Sequence, residues 1–325
     1  MTCVGIIANP QSGKDIRRLV AHASVFDNQA KVNIVRRVLV GLDAVGVERA
    51  LIMPDYFGIG TRALHNLKIN LRAELLDMPL ENTLDDSTNA ARLMREQDVR
   101  VIITLGGDGT NRAVAKECGD VPLVAISTGT NNVFPQFIEG TVAGMAAGLV
   151  ARGVVDENVI HASTRLDILR ENEIADVALI DAVVYDAPAT GTRAIWEARG
   201  IRQIVLTRVE PDRIGLSAIG SALGVALNAH EGLYLETGEG GESVSAPIAP
   251  GLIQHISLRV HSKIRIGDSI PVAHAPTAIA LDGERTLITR AAHEYHIRLS
   301  DAGPRVIDVR AAMAQAAAKG FFIQH

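Results

Sequence analysis

The segment Val99-Arg-Val-Ile-Ile-Thr-Leu-Gly-Gly-Asp-Gly-Thr110 joins an apolar run to a cluster of glycines. Its Val, Ile and Leu residues predict a strand that is buried on both faces, as in a parallel sheet. The glycines at 106, 107 and 109 allow a sharp turn and a close approach to a ligand. We place Thr110 at the N-cap of a helix over residues 111–118, where free N–H groups and the helix dipole favour phosphate. Beside phosphates, Asp108 would hold a metal or accept a proton.

The composition is that of a compact globular protein with two domains, since the chain has 325 residues, 47% hydrophobic and 21% charged. A net charge of −5 and only 3% aromatic residues argue against a nucleic-acid partner. Cys3 and Cys118 lie far apart in the sequence, which indicates reduced structural thiols. Because no run of about 18 apolar residues and no charged leader is present, we expect a soluble, cytoplasmic protein that does not bind membranes.

The first half predicts strands that alternate with helices. Apolar patterns indicate strands over residues 2–8, 47–53, 69–75, 99–105 and 121–127, and helices over residues 28–42, 61–67, 90–97, 111–118 and 140–153. This alternation implies a Rossmann-like α/β domain over residues 1–153 with a parallel sheet. An alanine-rich helix over residues 308–319 ends the chain, and we expect residues 305–325 to pack back on this first domain.

Three small polar loops follow strands of this predicted sheet, at residues 9–14, 106–110 and 128–132. The first contains Asn9, Ser12, Gly13 and Lys14, and it lacks the spacing of a Walker loop. Lys14 alone could equally be a solvated lysine at the start of a helix. Since the carboxyl ends of parallel strands bind ligands in open α/β sheets, the three loops together predict a polyphosphate site.

The second half, residues 154–304, predicts a β-rich domain that binds the acceptor, built as a sandwich or as a large twisted antiparallel sheet. The predicted strands cover residues 165–170, 174–185, 201–208, 214–217, 253–260 and 278–281. Residues 236–243 predict an acidic, glycine-rich loop that is either a surface loop or a substrate contact. Trp196, the only tryptophan, could cover either a substrate or an oligomer interface.

The segment Leu281-Asp-Gly-Glu-Arg285 follows a predicted strand. Asp-Gly is a common signal for a hairpin turn, and that is one interpretation. Facing a polyphosphate site, Asp282 would instead be a Mg²⁺ ligand, usually through water, and Glu284 a base for a hydroxyl.

These motifs together resemble the superfamily of NAD kinases, diacylglycerol kinases and sphingosine kinases. The resemblance rests on Gly106-Gly-Asp-Gly-Thr110, Asn9-Pro-x-Ser-Gly13, Gly129-Thr-Asn-Asn132, Leu281-Asp-Gly-Glu284, Arg165-Leu-Asp-Ile-Leu169 and Asp176-Val-Ala-Leu-Ile-Asp-Ala-Val-Val184. It implies that ATP donates its γ-phosphoryl group to a hydroxyl in a cleft between the two domains. It also implies a homo-oligomer, because relatives of this kind commonly associate through the β-rich domain.

By that resemblance, Asp108 and Glu284 are the candidate catalytic residues, and Asp282 is the candidate metal ligand. The candidate residues for ATP and its Mg²⁺ are Asn9, Ser12, Gly13, Lys14, Gly106, Gly107, Gly109, Thr110, Gly129, Thr130 and Asn132.

Two departures from NAD kinases concern the acceptor. Ile180-Asp181 stands where NAD kinases carry Asn followed by an acidic residue, and residues 231–243 retain only Thr237-Gly238 of a Thr-Gly-Ser-Thr-Ala-Tyr motif. An aliphatic side chain cannot hydrogen-bond a ribose or an amide, and acidic residues repel a diphosphate. We therefore expect a small hydroxylated metabolite as the acceptor. NAD kinase activity and a non-catalytic ATP-binding protein are the alternatives.

Overall fold

The computed structural model describes residues 1–13, 26–129, 132–186, 200–272, 277–283 and 285–323. Trp196 lies outside these residues. The N-terminal half contains β1 (Cys3–Ala8), α1 (Asn28–Ala44), β2 (Arg49–Ile52), α2 (Ile59–Leu64), β3 (Arg72–Leu75), α3 (Asp85–Glu96), β4 (Val101–Gly106), α4 (Asp108–Ala115), β5 (Leu123–Ser127), α5 (Gly140–Ala151) and β6 (Ile160–Ala162).

The rest of the chain contains β7 (Arg165–Arg170), β8 (Glu173–Ala178), β9 (Asp181–Asp186), β10 (Ile201–Leu206), α6 (Ser217–Ala222), β11 (Glu231–Ala249), β12 (Leu252–Arg265), β13 (Ser269–Pro271), β14 (Thr277–Leu281), β15 (Arg285–Ile288), β16 (Tyr295–Ser300), β17 (Arg305–Ile307) and α7 (Val309–Ala318). Within the described residues, none of the helices has the length and apolar character needed to span a membrane.

The first sheet has seven strands in the order β3-β2-β1-β4-β5-β17-β6, parallel except for the pairing of β17 with β6. Strands β1, β4 and β5 are buried along their whole length, as expected for a sheet covered by helices on both faces. The core on one face includes α1, α5 and α7. Strand order reverses between β1 and β4, and ligands bind at such a point in open α/β sheets.

The second half is a sandwich of two antiparallel sheets. One sheet has the order β12-β11-β10-β9-β14-β15, and the other has the order β13-β16-β7-β8. Apolar side chains from both sheets form a common core, among them Ile168, Val184, Val205, Ile279 and Leu299. The predicted fold class, an α/β domain followed by a mostly β region, is confirmed.

Three local predictions in the second half were wrong. Residues 214–217, predicted as a strand, lead into α6, and Gly215 has a φ of +110°. The strand predicted over residues 174–185 is interrupted between β8 and β9. The segment 236–243 is part of β11 and not a loop. Residues 236, 237, 242 and 243 pair with β12, and residues 238–241 between them bulge out of the ladder.

Both cysteines are free and buried, and Cys118 follows α4 against the first sheet. Burial raises the pKa of the Cys118 thiol from 9.0 to about 12. Burial likewise raises the pKa of Cys3, against the opposing charge of Arg49. A thiol is nucleophilic only as the thiolate, so both groups are unreactive in the folded protein.

We expect Cys118 in a Cys3→Ser variant to react with an aromatic disulfide reagent at pH 8 only after unfolding in urea. A pKa raised by three units lowers the thiolate fraction about 10³-fold, and burial also restricts access. Because the folded-state pKa is the higher one, folding stability should fall as the pH rises above 9. Stopped-flow absorbance measures the labelling rate, and labelling of the native chain at the rate of the unfolded chain would contradict this assignment.

Candidate functional site

The three predicted loops meet at the carboxyl ends of β1, β4 and β5. Asn9 Nδ2 donates to Thr110 Oγ1 at 2.9 Å, and the hydroxyl groups of Ser12 and Thr128 are 3.0 Å apart. The first of these hydrogen bonds crosses from β1 to β4, where the strand order reverses. The structure thus brings together loops that are about a hundred residues apart in the sequence.

Two glycines make this close approach possible. A Cβ atom at Gly106 would lie 2.4 Å from Cβ of Thr110. Gly13 has a φ of +73°, and a Cβ atom there would lie 2.6 Å from the Thr128 carbonyl oxygen. Neither position accepts a larger residue without moving the neighbouring loop, so the glycines hold the loops in contact.

Helix α4 begins three residues earlier than predicted. Gly107 is its N-cap, in an extended conformation, and Asp108, Gly109 and Thr110 form the first turn. The prediction of Thr110 as N-cap was wrong, because its hydroxyl accepts a hydrogen bond from Asn9 and not from the helix. The N–H groups of the first turn still face the carboxyl end of the sheet, the position that favours phosphate.

Lys31 supports the first loop and was missed by the sequence reasoning. It is fully buried, and its Nζ donates to the carbonyl oxygens of Asn9 and Ser12 at 2.8 and 2.7 Å and to Asn28 Oδ1 at 3.0 Å. The sequence signal that could have identified Lys31 is its position on the apolar face of α1, four residues before Val35. A lysine on such a face requires polar partners.

The third loop is organised by its own side chains. Asn132 Nδ2 donates to Ser127 Oγ at 2.9 Å, and Ser127 Oγ donates to the Gly129 carbonyl oxygen at 2.9 Å. The backbone N–H of Thr128 donates to the Gly106 carbonyl oxygen at 3.2 Å, which ties this loop to the second one. The predicted site residues Lys14, Thr130 and Glu284 lie outside the described residues.

A polar pocket lies beside the first loop. Gln11 Nε2 donates to Asn82 Oδ1 at 3.2 Å across its opening. The pocket is lined by Asn9, Pro10, Gln11, Met53, Pro54, Asp55, Tyr56, Asn82, Thr83, Asp86 and Ser87. Its position at the carboxyl ends of β1 and β2 makes it continuous with the loops.

Asp108 is buried and anchors the segment that follows the third loop. Its Oδ1 accepts the N–H groups of Val133 at 3.1 Å and of Phe134 at 2.8 Å, and its Oδ2 lies 3.1 Å from the Val133 nitrogen. The carboxylate is therefore oriented by backbone donors. It lies at the start of α4, next to the loops that would receive phosphate.

Asp282 has an equivalent arrangement in the second domain. It has a φ of +50°, and its carboxylate accepts the N–H groups of Leu179, Ile180 and Asp181 at 2.8 to 3.3 Å. Burial raises the pKa of Asp282, against the opposing effects of Arg112 and these backbone donors. Its oxygens hold the turn between β8 and β9, so its predicted role as a metal ligand stays a prediction.

Helix α4 connects the two domains through side chains spaced four residues apart. Arg112 is fully buried; its Nη1 donates to the Leu281 carbonyl oxygen at 2.7 Å, and its Nε lies 3.9 Å from Asp282 Oδ2. One turn later, Lys116 Nζ lies 2.6 Å from Asp176 Oδ1. Asp108, Arg112 and Lys116 therefore share one face of the helix. The sequence reasoning missed the two cations, although their spacing from Asp108 was a usable signal.

An apolar cluster completes the contact between the domains. Its buried members are Ala115, Ala125, Val133, Phe134, Leu179 and Ile180. Ile180, the residue that departs from the NAD kinase pattern, is 1% exposed. It packs between the domains and is not available to a ligand, so at this point the cleft is closed by apolar contact.

Comparison with known proteins agrees with this geometry. Over 329 aligned residues the chain is 39% identical to acetoin catabolism protein X of Cupriavidus necator strain H16, covering 96% of this chain and 92% of that protein. The chain belongs to the acetoin catabolism protein X family. The family model of the ATP-NAD kinase N-terminal domain matches residues 4–154, and that of the acetoin catabolism protein X C-terminal domain matches residues 164–302.

Two solved structures share the fold. Yeast NADH kinase, solved with NADH, superposes with a TM-score of 0.51 at 12% identity, covering 100% of this chain and 89% of that chain. A protein described as a diacylglycerol kinase of Bacillus anthracis strain Sterne superposes with a TM-score of 0.50 at 14% identity, covering 96% and 98% of the two chains. The predicted superfamily is confirmed.

Arg112→Met should lower the free energy of unfolding by about 3–5 kcal/mol, because it leaves Asp282 buried without its cation. Adding Asp282→Asn should recover part of this loss, since the isolated charge is then removed. Urea denaturation measures both effects.

Arg92→Met provides the matched control. Arg92 pairs with Glu96 at 2.8 Å on an exposed helix surface, and such a pair contributes only about 0.5 kcal/mol. An Arg112→Met variant no less stable than this control would show that the buried arginine does not join the domains.

Proposed function

We propose that the protein is an ATP-dependent kinase that transfers the γ-phosphoryl group to a hydroxyl of a small metabolite. The observation that carries the proposal is the junction of three polar loops through the Asn9–Thr110 and Ser12–Thr128 contacts, beside the buried carboxylate of Asp108. The relationship to NAD kinases and diacylglycerol kinases supports a kinase-type reaction.

The loops suit the donor nucleotide. The first turn of α4 and the glycines at 106, 107 and 109 offer backbone N–H groups to phosphates. Ser12, Thr128 and Asn132 add hydroxyl and amide groups at the same sheet edge. The adjoining polar pocket adds the side-chain amides of Gln11 and Asn82 beside the first loop.

The residues also fit a magnesium ion that is carried by the nucleotide. Among the described residues, no group of three or more His, Cys, Asp and Glu side chains is placed to hold a metal by itself. Mg²⁺ keeps several waters and binds nucleotide phosphates together with one or two carboxylates, and Asp108 is the described carboxylate beside the loops. When bound, the ion would neutralise charge on the transferred phosphoryl group.

Asp108 is the group that we assign to the acceptor hydroxyl. Backbone donors at Val133 and Phe134 fix the orientation of its carboxylate at the start of α4. A positioned carboxylate can accept the proton of a hydroxyl as its oxygen attacks the phosphoryl group. Glu284 is the second candidate for this role.

The acceptor side favours a small molecule. Leu179 and Ile180 occupy an interdomain apolar cluster, where they present no hydrogen-bonding side chain to a dinucleotide. The similarity to acetoin catabolism protein X makes small metabolites related to acetoin the first acceptors to test. NAD kinase activity is the second candidate, because the ATP-NAD kinase N-terminal domain family matches residues 4–154.

Incubation with γ-labelled ATP, Mg²⁺ and a panel containing acetoin, butanediol, related hydroxy compounds and NAD⁺ tests the proposal. We expect label on a small hydroxylated compound. Label on NAD⁺ alone would establish the second candidate. Tight ATP binding with no transfer to any member of the panel would favour a non-catalytic ATP-binding protein.

Asp108→Asn should preserve ATP binding and lower turnover by about 10²-fold or more, the usual scale for a lost general base. The isosteric amide oxygen can still accept the N–H groups of Val133 and Phe134, so the loop is retained. Single-turnover label transfer and calorimetric ATP binding measure the two effects separately.

Asp120→Asn is the control, because Asp120 is exposed in the turn after Cys118. Glu284→Gln, assayed in parallel, distinguishes the two candidate bases. Near-normal turnover in Asp108→Asn would remove Asp108 from the chemistry.

A further inference from the structure

Arg208 is a cation at the domain boundary that forms no hydrogen bond with the described residues. It follows β10 by two residues and is half-buried. Its guanidinium carbon lies 5.2 Å from the centroid of the Phe134 ring, which belongs to the other domain. Its Nε atom is buried and has no hydrogen-bond partner among the described residues.

The charges around Arg208 are mainly negative. Burial lowers the pKa of Arg208, and the carboxylates of Glu210, Asp108 and Asp282 oppose that effect. Within the described part of the chain, the guanidinium forms no ion pair with any of them. Arg112 differs, because it is fully buried and uses Nη1 on the Leu281 carbonyl. Arg112 joins the domains through Nη1, although its Nε and Nη2 also lack hydrogen-bond partners. Arg208 differs because none of the described residues accepts a hydrogen bond from it.

A buried donor of a charged group costs free energy when it lacks a hydrogen-bond partner, so the unpaired Nε of Arg208 indicates a missing acceptor. Stacking on Phe134 uses the face of the planar group, whereas its edge carries the N–H donors, which include the unpaired Nε. That edge matches the paired oxygens of a phosphoryl group or a carboxylate, which arginine binds in a bidentate manner. A neutral hydroxyl compound would offer only a single acceptor oxygen to this edge.

We propose that Arg208 binds a phosphoryl or carboxylate group of a ligand in the interdomain cleft. The identity of that ligand rests on the proposed kinase function. Two sources present this chemistry beside Asp108: the γ-phosphoryl group of the donor and an anionic group on the acceptor. In either case Arg208 belongs to the ligand-binding site, and the sequence motifs did not point to it.

Isothermal calorimetry in the presence of Mg²⁺ tests the proposal with three probes: the β,γ-imido analogue of ATP, ADP, and inorganic phosphate added to the ADP complex. The variants are Arg208→Gln, which removes the charge, and Arg208→Lys, which keeps the charge and loses the planar fork. Phe134→Leu removes the stack and keeps the guanidinium. Arg202→Gln is the control, because Arg202 lies on β10 and pairs with Asp186 at an exposed site.

If Arg208 binds the γ-phosphoryl group, Arg208→Gln should weaken binding of the ATP analogue roughly 10- to 100-fold, the scale of a hydrogen bond to a charged group. Binding of ADP should be unchanged. If it binds the acceptor's anion, the nucleotides should be unaffected and inorganic phosphate should no longer bind the ADP complex. Arg208→Lys should show a smaller loss of the same kind, and Arg202→Gln should show none.

Unchanged binding of all three probes by Arg208→Gln, with a loss of thermal stability equal to that of Phe134→Leu, would overturn the proposal and leave a structural stack. The outcome that would contradict the kinase proposal is a different one. If the wild-type protein binds phosphate through Arg208 but binds neither nucleotide, the anion site stands and the donor assignment is lost.

Discussion

The hydrogen bonds from the backbone of Val133 and Phe134 to Asp108 connect the parts of this protein on which the site depends. They fix the carboxylate at the start of α4, and they fix the segment that follows the third loop. Phe134 in turn packs against Leu179 and Ile180 and carries the guanidinium of Arg208. One carboxylate therefore connects the third polar loop, the apolar contact between the domains and the neighbouring cation.

The contact between the two domains contains two similar hydrogen-bonding arrangements. In each, a buried aspartate accepts successive backbone N–H groups from a turn, Asp108 in the first domain and Asp282 in the second. Arg112 bridges them by extending from α4 to Leu281 and Asp282. Backbone donors and buried side chains therefore hold the two domains together at this boundary.

The fold was predictable from the sequence because its signals are local. Buried strands and glycine-rich turns specify the parallel sheet, and loops at the ends of neighbouring parallel strands must converge. The contacts of Lys31 and Arg208 were not predictable, because they depend on which distant groups the fold brings near a charge. The segment 236–243 was predicted as a loop because its local signal, a cluster of glycines, is typical of loops. In the structure a bulge within β11 accommodates these glycines.

The return of β17 to the first sheet has a consequence for how the chain is made. β17 pairs with β5 and β6, and α7 adds Ala312 and Ala316 to the core beneath α1 and α5. The β-sandwich is thus an insertion within the first domain, between residues 162 and 305. The first domain cannot be completed during synthesis until β17 and α7 leave the ribosome, so the inserted domain is available to fold first.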